Sequence, residues 1–295
     1  MKRIFQIIMV LSMLFSSSGI IAAEQMITIS IDGTEHQFDQ ATVQKDGHIL
    51  LPLRGIFEQA GAQVEWDGNK RTATVKMNDM HIVVKIGSKQ AEKNGVSLTM
   101  PVEAQIINGT TMIPLPFIGQ AFDGYTKWDH DAQIAYIFSS KESLLMSLAE
   151  HDDAEQITKL LAEGANPDGK GNNGWTPLMT AVFYNNTGSV KALLTGGADP
   201  NFVTEDGDTP LTWAARYGST EIANELLQAG ANPDGKNHLK WTALMYAAYT
   251  GNFEIAASLL KAGADTKIKN NEGETAADIA EHREHSELLD LLRQK

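Results

Sequence analysis

Apolar positions alternate with polar ones in the first half of the chain and return at helical spacing in the second. Ile27, Ile29 and Ile31 alternate ahead of Asp32-Gly33, a dipeptide suited to a hairpin turn. After Asp46-Gly47 and the apolar Ile49-Leu50-Leu51, Pro52 is placed to open a helix. On it Leu53, Ile56, Phe57 and Ala60 share one face, with Gly61 to close it. Trp66 and Val75 then fall on a returning strand. The whole pattern recurs at an offset of 62: Asp32-Gly33 returns as Asn94-Gly95, Asp46-Gly47 as Asn108-Gly109, Pro52-Leu53 as Pro114-Leu115 and Trp66-Asp67 as Trp128-Asp129. The second helix carries Leu115, Ile118 and Phe122 and is closed by Gly124, and Trp128 and Ile137 take the returning strand. Residues 24 to 138 therefore read as an α+β domain made by duplication.

From residue 143 the period changes to 33. Thr176, Thr209, Thr242 and Thr275 keep that spacing, as do Gly164, Gly197, Gly230 and Gly263, each followed by alanine. Within a unit, Asp208-Thr209-Pro210-Leu211 opens a first helix through Ala214-Ala215 and Gly218 breaks it. Ile222, Leu226 and Leu227 form the stripe of a second helix, which Gly230-Ala231-Asn232-Pro233 ends. The threonine is placed to cap the helix and the proline suits its first turn, while the glycine supplies a positive φ at the end of the second helix. Five units are counted between 143 and 295, the first and last departing from the pattern as capping repeats do.

Both halves resemble known families. Leu51-Pro52-Leu53-Arg54, Ala60-Gly61-Ala62, Val64-Glu65-Trp66-Asp67 and Asn94-Gly95 resemble the copper amine oxidase N-terminal-like domain over about residues 26 to 138. In the oxidases that is a stalk outside the copper site, so the resemblance implies an accessory module. The chain has no Asn-Tyr pair, which the oxidases require to make their quinone, and its histidines are isolated, so neither copper nor oxidase activity is expected. Arg54 becomes Pro116 in the second copy, which leaves any role of that arginine to one copy; a salt bridge at the helix start is its plainer use. Trp175-Thr176-Pro177-Leu178, Asp208-Thr209-Pro210-Leu211 and Trp241-Thr242-Ala243-Leu244 are similar to the openings of ankyrin repeats over about residues 143 to 295. The fold expected is multidomain: a duplicated α+β stalk-like domain, a linker at 139–142, and an all-α ankyrin solenoid with short β-hairpin fingers.

Composition adds a compartment. Lys2 and Arg3 precede an apolar run from Ile4, and Ser16 to Gly19 and Ile20-Ile21-Ala22-Ala23 complete the order of a secretory signal over 1–23. An uncleaved anchor is the rival reading. The chain has 24 Lys+Arg and 37 Asp+Glu, and removal of the two leader charges leaves a net charge of −15. Residues 24 to 141 carry −4 of it and residues 142 to 295 carry −11. This acidity speaks against nucleic acid as a partner. With no cysteine, disulfides, thiol catalysis and Cys-zinc sites are excluded.

Little of the remaining chemistry looks catalytic. His282 and His285 are three residues apart, not in the four-residue spacing of a helical zinc pair. Gly169-Lys170-Gly171-Asn172-Asn173-Gly174 has the spacing of a dinucleotide fingerprint but follows a helix and falls where an ankyrin finger turns. Catalytic, cofactor and metal residues are therefore assigned to none. The register of the second repeat instead collects aromatics: Thr180, Trp213 and Tyr246 at one position, Phe183, Arg216 and Tyr249 a turn on, and Tyr184, Tyr217 and Thr250 beside them. The resemblance implies that these face the groove, with Trp175 and Trp241 at the fingers. They are types enriched at binding hot spots, although packing between repeats would use the same residues. Asp206-Gly207-Asp208 is read either as an acidic rim or as plain turn chemistry.

The expectation is a non-catalytic exported adaptor of the bacterial cell envelope, its ankyrin groove and fingers binding a protein and its N-terminal domain serving as a stalk. The alternative places recognition in the N-terminal domain, gripping cell-wall or envelope glycan on Trp66 or Trp128, with the array as spacer. A hydrolase built from scattered carboxylates is the remaining reading.

Overall fold

The structure is a computed structural model describing residues 28–37, 43–171 and 173–294. The signal-like segment 1–23 and Ile27 lie outside the described residues. The chain divides into two compact units at 137/138.

The first unit begins with two hairpins, β1 (Thr28–Ile31) to β2 (Thr34–Gln37) and β3 (Val43–Lys45) to β4 (His48–Pro52). Helix α1 (Leu53–Gln59) follows, then the hairpin β5 (Gln63–Asp67) to β6 (Thr72–Met77) and a single strand β7 (Met80–Lys85). The second copy repeats the order as β8 (Gln90–Lys93), β9 (Val96–Thr99), β10 (Gln105–Ile107), β11 (Thr110–Pro114), α2 (Leu115–Ala121), β12 (Tyr125–Asp129) and β13 (Ile134–Phe138). Each element of the first copy except β7 thus starts again at the offset seen in the sequence.

The repeated dipeptides now have a cause. Asp32-Gly33 and Asn94-Gly95 adopt positive φ at both residues, 48° and 82° in the first and 50° and 81° in the second. That is the geometry two-residue hairpins need, and only Gly, Asn and Asp tolerate it well. Asp67 and Asp129 act at the other hairpin. Asp67 Oδ1 accepts from the amides of Asn69 and Lys70, and Asp129 Oδ1 from those of Asp131 and Ala132. Two readings need correction. Trp66 and Val75 do not share one strand but lie on the paired strands β5 and β6, as Trp128 and Ile137 lie on β12 and β13. The left-handed residue after α2 is Asp123 (φ 54°), the counterpart of Gly61, not the Gly124 beside it.

Three sheets result among the described residues. Strands β10-β11-β4-β3 pair the central hairpins of the two copies, and β5-β6-β7-β8-β9 joins one hairpin of each copy through β7. In β12-β13-β1-β2 no such strand intervenes: β1 runs parallel to β13, with Thr28 opposite Ile134. The first strand of the unit therefore closes on its last. Leu51, Leu53, Ile56, Phe57, Val75, Ile82, Ile113, Phe117, Ile118 and Ile137 are fully buried in one core that both copies share.

The second unit is a series of helix pairs: α3 (Lys141–Glu150) with α4 (Ala154–Ala162), α5 (Pro177–Phe183) with α6 (Thr187–Thr195), and α7 (Pro210–Tyr217) with α8 (Thr220–Gln228). The last two are α9 (Ala243–Thr250) with α10 (Phe253–Lys261), and α11 (Ala276–His282) with α12 (Ser286–Arg293). Ser140 caps α3, so Lys141 and Glu142, read as linker, form its first turn. Thr176, Thr209, Thr242 and Thr275 cap the first helix of four pairs, each side chain accepting from the amide three residues on. Gly164, Gly197, Gly230 and Gly263 end second helices at φ between 88° and 92°. The fingers are turns closed by a backbone bond from Gly171 to Trp175, Thr204 to Asp208, Asn237 to Trp241 and Asn270 to Glu274, with one antiparallel bridge, Lys236 to Thr242. Pairs are also tied by a bond that recurs once per repeat. The side chains of Asp168, Asn201 and Asp234 accept from the amides of Asp199, Asn232 and Asp265.

Candidate functional site

The residues singled out from the repeat register come together on the array. Trp175 meets Phe183 at 5.4 Å and Trp213 at 5.0 Å between ring centroids, both edge to face. Trp213 stacks on Tyr217 at 5.3 Å, and Phe183 touches Tyr184, Trp213 and Tyr217. One repeat further, Trp241 lies 5.0 Å from Tyr246 and 5.8 Å from Tyr249. Arg216 joins the two groups, its guanidinium 6.0 Å from the rings of Trp213 and Tyr217 and 5.7 Å from Tyr246. The ridge so formed ends on Arg283, which the register did not single out; it lies 3.7 Å from the centre of the Tyr249 ring. Arg283 takes the position of Thr250 in the following repeat, so the register contained the signal.

The same elements that set the period place these rings. A capped first helix presents Trp213, Arg216 and Tyr217 three and four residues apart, which puts them on one face. The finger residue just before the cap, Trp175 or Trp241, lies against rings of the helix that follows. Rings are divided between packing and display: Trp175, Trp213, Trp241 and Tyr246 are half-buried, while Phe183, Tyr184, Tyr217 and Tyr249 are exposed, Tyr217 most at 57%. Thr180, at the position of Trp213 and Tyr246, is buried.

Two phenols are held by polar partners. Tyr184 is hydrogen-bonded to Glu150, which with partial burial raises its pKa above the ordinary value. Burial raises the pKa of Tyr246, the nearby charge of Asp208 adding to it, and its hydroxyl accepts from Asn237 Nδ2 at 2.9 Å. The same nitrogen reaches Asp208 Oδ1 at 2.9 Å. Asp208 is thus only 8% exposed and ties one finger to the next, so of the two readings of Asp206-Gly207-Asp208 the rim fails at Asp208. The Trp213 indole N–H is buried without an acceptor among the described residues.

The other candidates are dispersed. His282 Nδ1 lies 3.0 Å from Glu274 Oε1, while His285 packs against Gly251. Among the described residues, His, Asp and Glu form no group of three placed to hold a metal ion. Gly171 and Gly174 form a finger turn, Gly174 donating to the Gly171 carbonyl. Arg54 pairs with Glu58 at 2.8 Å, one turn along α1. Trp66 is 42% exposed, whereas Trp128 packs against the core. No helix among the described residues is long and apolar enough to cross a membrane.

Comparison with known proteins follows the same division. The copper amine oxidase N-terminal domain family matches residues 30–137, and ankyrin repeat families match residues 145–237 and 226–280. A copper amine oxidase N-terminal domain precedes an ankyrin array. Both are non-catalytic domain types, and the ankyrin repeats support a role in binding protein. The chain is 25% identical over 112 residues to a protease inhibitor of Brevibacillus choshinensis, covering 37% of this chain and 34% of that protein. It is 32% identical over 73 residues to a primary amine oxidase of Klebsiella aerogenes, covering 25% of this chain and 10% of the oxidase. The chain thus spans about a third and a tenth of the curated relatives it matches.

Proposed function

We propose that this chain is an exported, non-catalytic adaptor of the cell envelope whose ankyrin array captures a protein partner. The observation that carries the reading is the continuous ridge of Trp175, Phe183, Tyr184, Trp213, Tyr217, Trp241, Tyr246 and Tyr249, joined across repeats by Arg216. Half-buried rings fix the geometry and their exposed neighbours remain for contact. Such rigid aromatic and arginine groups lose little side-chain entropy on binding. The excess negative charge of the array favours encounter with a basic partner. One relative's name, protease inhibitor, is that of a protein acting on another protein, and the same class of partner is proposed here. The N-terminal domain serves as the stalk.

The test is crosslinking of the chain in its native cell followed by identification of what attaches to residues 143–295. Replacing Trp213 and Tyr246 together by Ala is expected to reduce capture at least tenfold while far-UV circular dichroism stays unchanged. Undiminished capture by the folded double variant would sink the assignment.

A further inference from the structure

The two copies of the N-terminal domain differ where it matters for a ligand. A cleft of about 550 Å³ opens beside the first copy, bounded by the start of α1, by β5 and by the β10–β11 hairpin. Arg54, Glu58, Glu65, Trp66, Ile106 and Thr111 are among the side chains that line it. The framework positions are the same in both copies: Pro52 and Pro114, Leu53 and Leu115, Ile56 and Ile118. The charged lining positions are not. Arg54 is matched by Pro116, Glu58 by Gln120 and Glu65 by Lys127, while Trp66 is matched by Trp128, which packs against the core.

The helices also differ at the cleft. Each carries one phenylalanine, at a different place. In α1 it is Phe57, buried and stacked 5.0 Å from Phe122 in the shared core. In α2 it is Phe117, also fully buried, and the position that matches it in α1 is Gly55, which lines the cleft. Where the second copy has a benzyl side chain, the first has none.

We propose that this cleft binds a neutral saccharide chain, with a pyranose ring laid on Trp66. An apolar platform alone would suit many ligands, but the rim narrows the choice. Arg54 offers donors, Glu58 and Glu65 offer acceptors, and Thr110 and Thr111 offer both. A sugar with equatorial hydroxyls presents that combination, an apolar face of C–H groups bounded by hydroxyls that both donate and accept. An exposed indole is the complement of the face, and Trp66 and Ile106 are both exposed, the latter at 44%. Charge argues against an anionic polymer: Arg54 is paired with Glu58 at 2.8 Å and Glu65 with Lys76 at 2.9 Å, so the rim offers no uncompensated cation.

The full chain titrated with β-linked tetramers of glucose and of N-acetylglucosamine, followed by calorimetry, tests the site. At least one tetramer is expected to bind saturably. Trp66→Ala and Gly55→Phe, which puts the second copy's residue into the first, should each weaken it at least tenfold. Trp213→Ala with Tyr246→Ala, in the array, should leave it unchanged. Thermal melting checks the variants, and Trp66, being exposed, keeps the test available if Gly55→Phe fails to fold. Absence of binding by both tetramers, or binding that survives in folded Trp66→Ala, overturns the proposal. Binding of polyglycerol phosphate or of a proline-rich decapeptide in place of both tetramers overturns it as well.

Discussion

The N-terminal domain and the ankyrin array are both made by repetition, yet one closes on itself and the other stays open. In the first, β1 pairs with β13 across nearly the whole length of the domain, and the two copies bury one core between them. In the second, each helix pair bonds to the pair before it, as the amides of Asp199, Asn232 and Asp265 do to the side chains of Asp168, Asn201 and Asp234. The difference follows from the repeating unit. A hairpin leaves unpaired backbone at its edges and gains by meeting another hairpin, whereas a helix pair satisfies its backbone internally and offers an apolar face on either side. Stacking then needs only capping units at the ends.

Closure and openness predict different responses to damage. The largest effect is expected for Ile29→Asp, which places a charge at a 1% exposed position in the closing strand. It should cost on the order of 4 kcal/mol, and hydrogen exchange should show protection lost throughout the N-terminal domain, β7 included. Leu288→Asp in α12 should remove protection from α11 and α12 while α5 to α8 keep theirs. If Ile29→Asp loosened only β1 and β2, the domain would not be a single cooperative unit.

A smaller effect separates how the helices begin. Thr242→Ala removes a cap whose hydroxyl accepts from the Met245 amide and should cost about 1 kcal/mol in thermal melting. Helices α1 and α2 start directly from strands at Pro52 and Pro114, with no side-chain cap to lose. The smallest effect is in acid. Backbone and hydroxyl hydrogen bonds from Thr275 lower the pKa of Asp278 below its ordinary value of 3.8. A depressed carboxyl pKa stabilises the fold above its unfolded value, and that contribution is lost as pH falls through the folded one. Protection factors in α11, taken relative to the intrinsic exchange rate at each pH, should therefore fall below about pH 4, and Asp278→Asn should flatten that dependence.

The open half was the more readable in the sequence. Its period lies in residues that do local work, a capping threonine and a left-handed glycine, so spacing alone placed the helices and gathered the aromatic residues. Asp208 stayed open between two readings because its partner, Asn237, belongs to the next repeat. In the closed half the constant offset between copies located the turns, since Asp-Gly and Asn-Gly act on their immediate neighbours. Strand β7 has no counterpart in the second copy, so comparing the copies gave it no landmark. The pairing of β1 with β13 joins the ends of the domain, and no local pattern records it. The cleft is lined by Gly55 where the second copy has Phe117, a difference visible only when the copies are matched element by element.

The parallel pairing of β1 with β13 also sets an order of events in time. The first strand cannot find its partner until Ile134 to Phe138 have left the ribosome, so the domain must wait for its last strand before it can complete a fold. Contacts of such long sequence separation make folding slow, whereas helix pairs of the array form from neighbouring segments and propagate. In a chain made from its N-terminus, the part synthesised first is thus the part that has longest to wait.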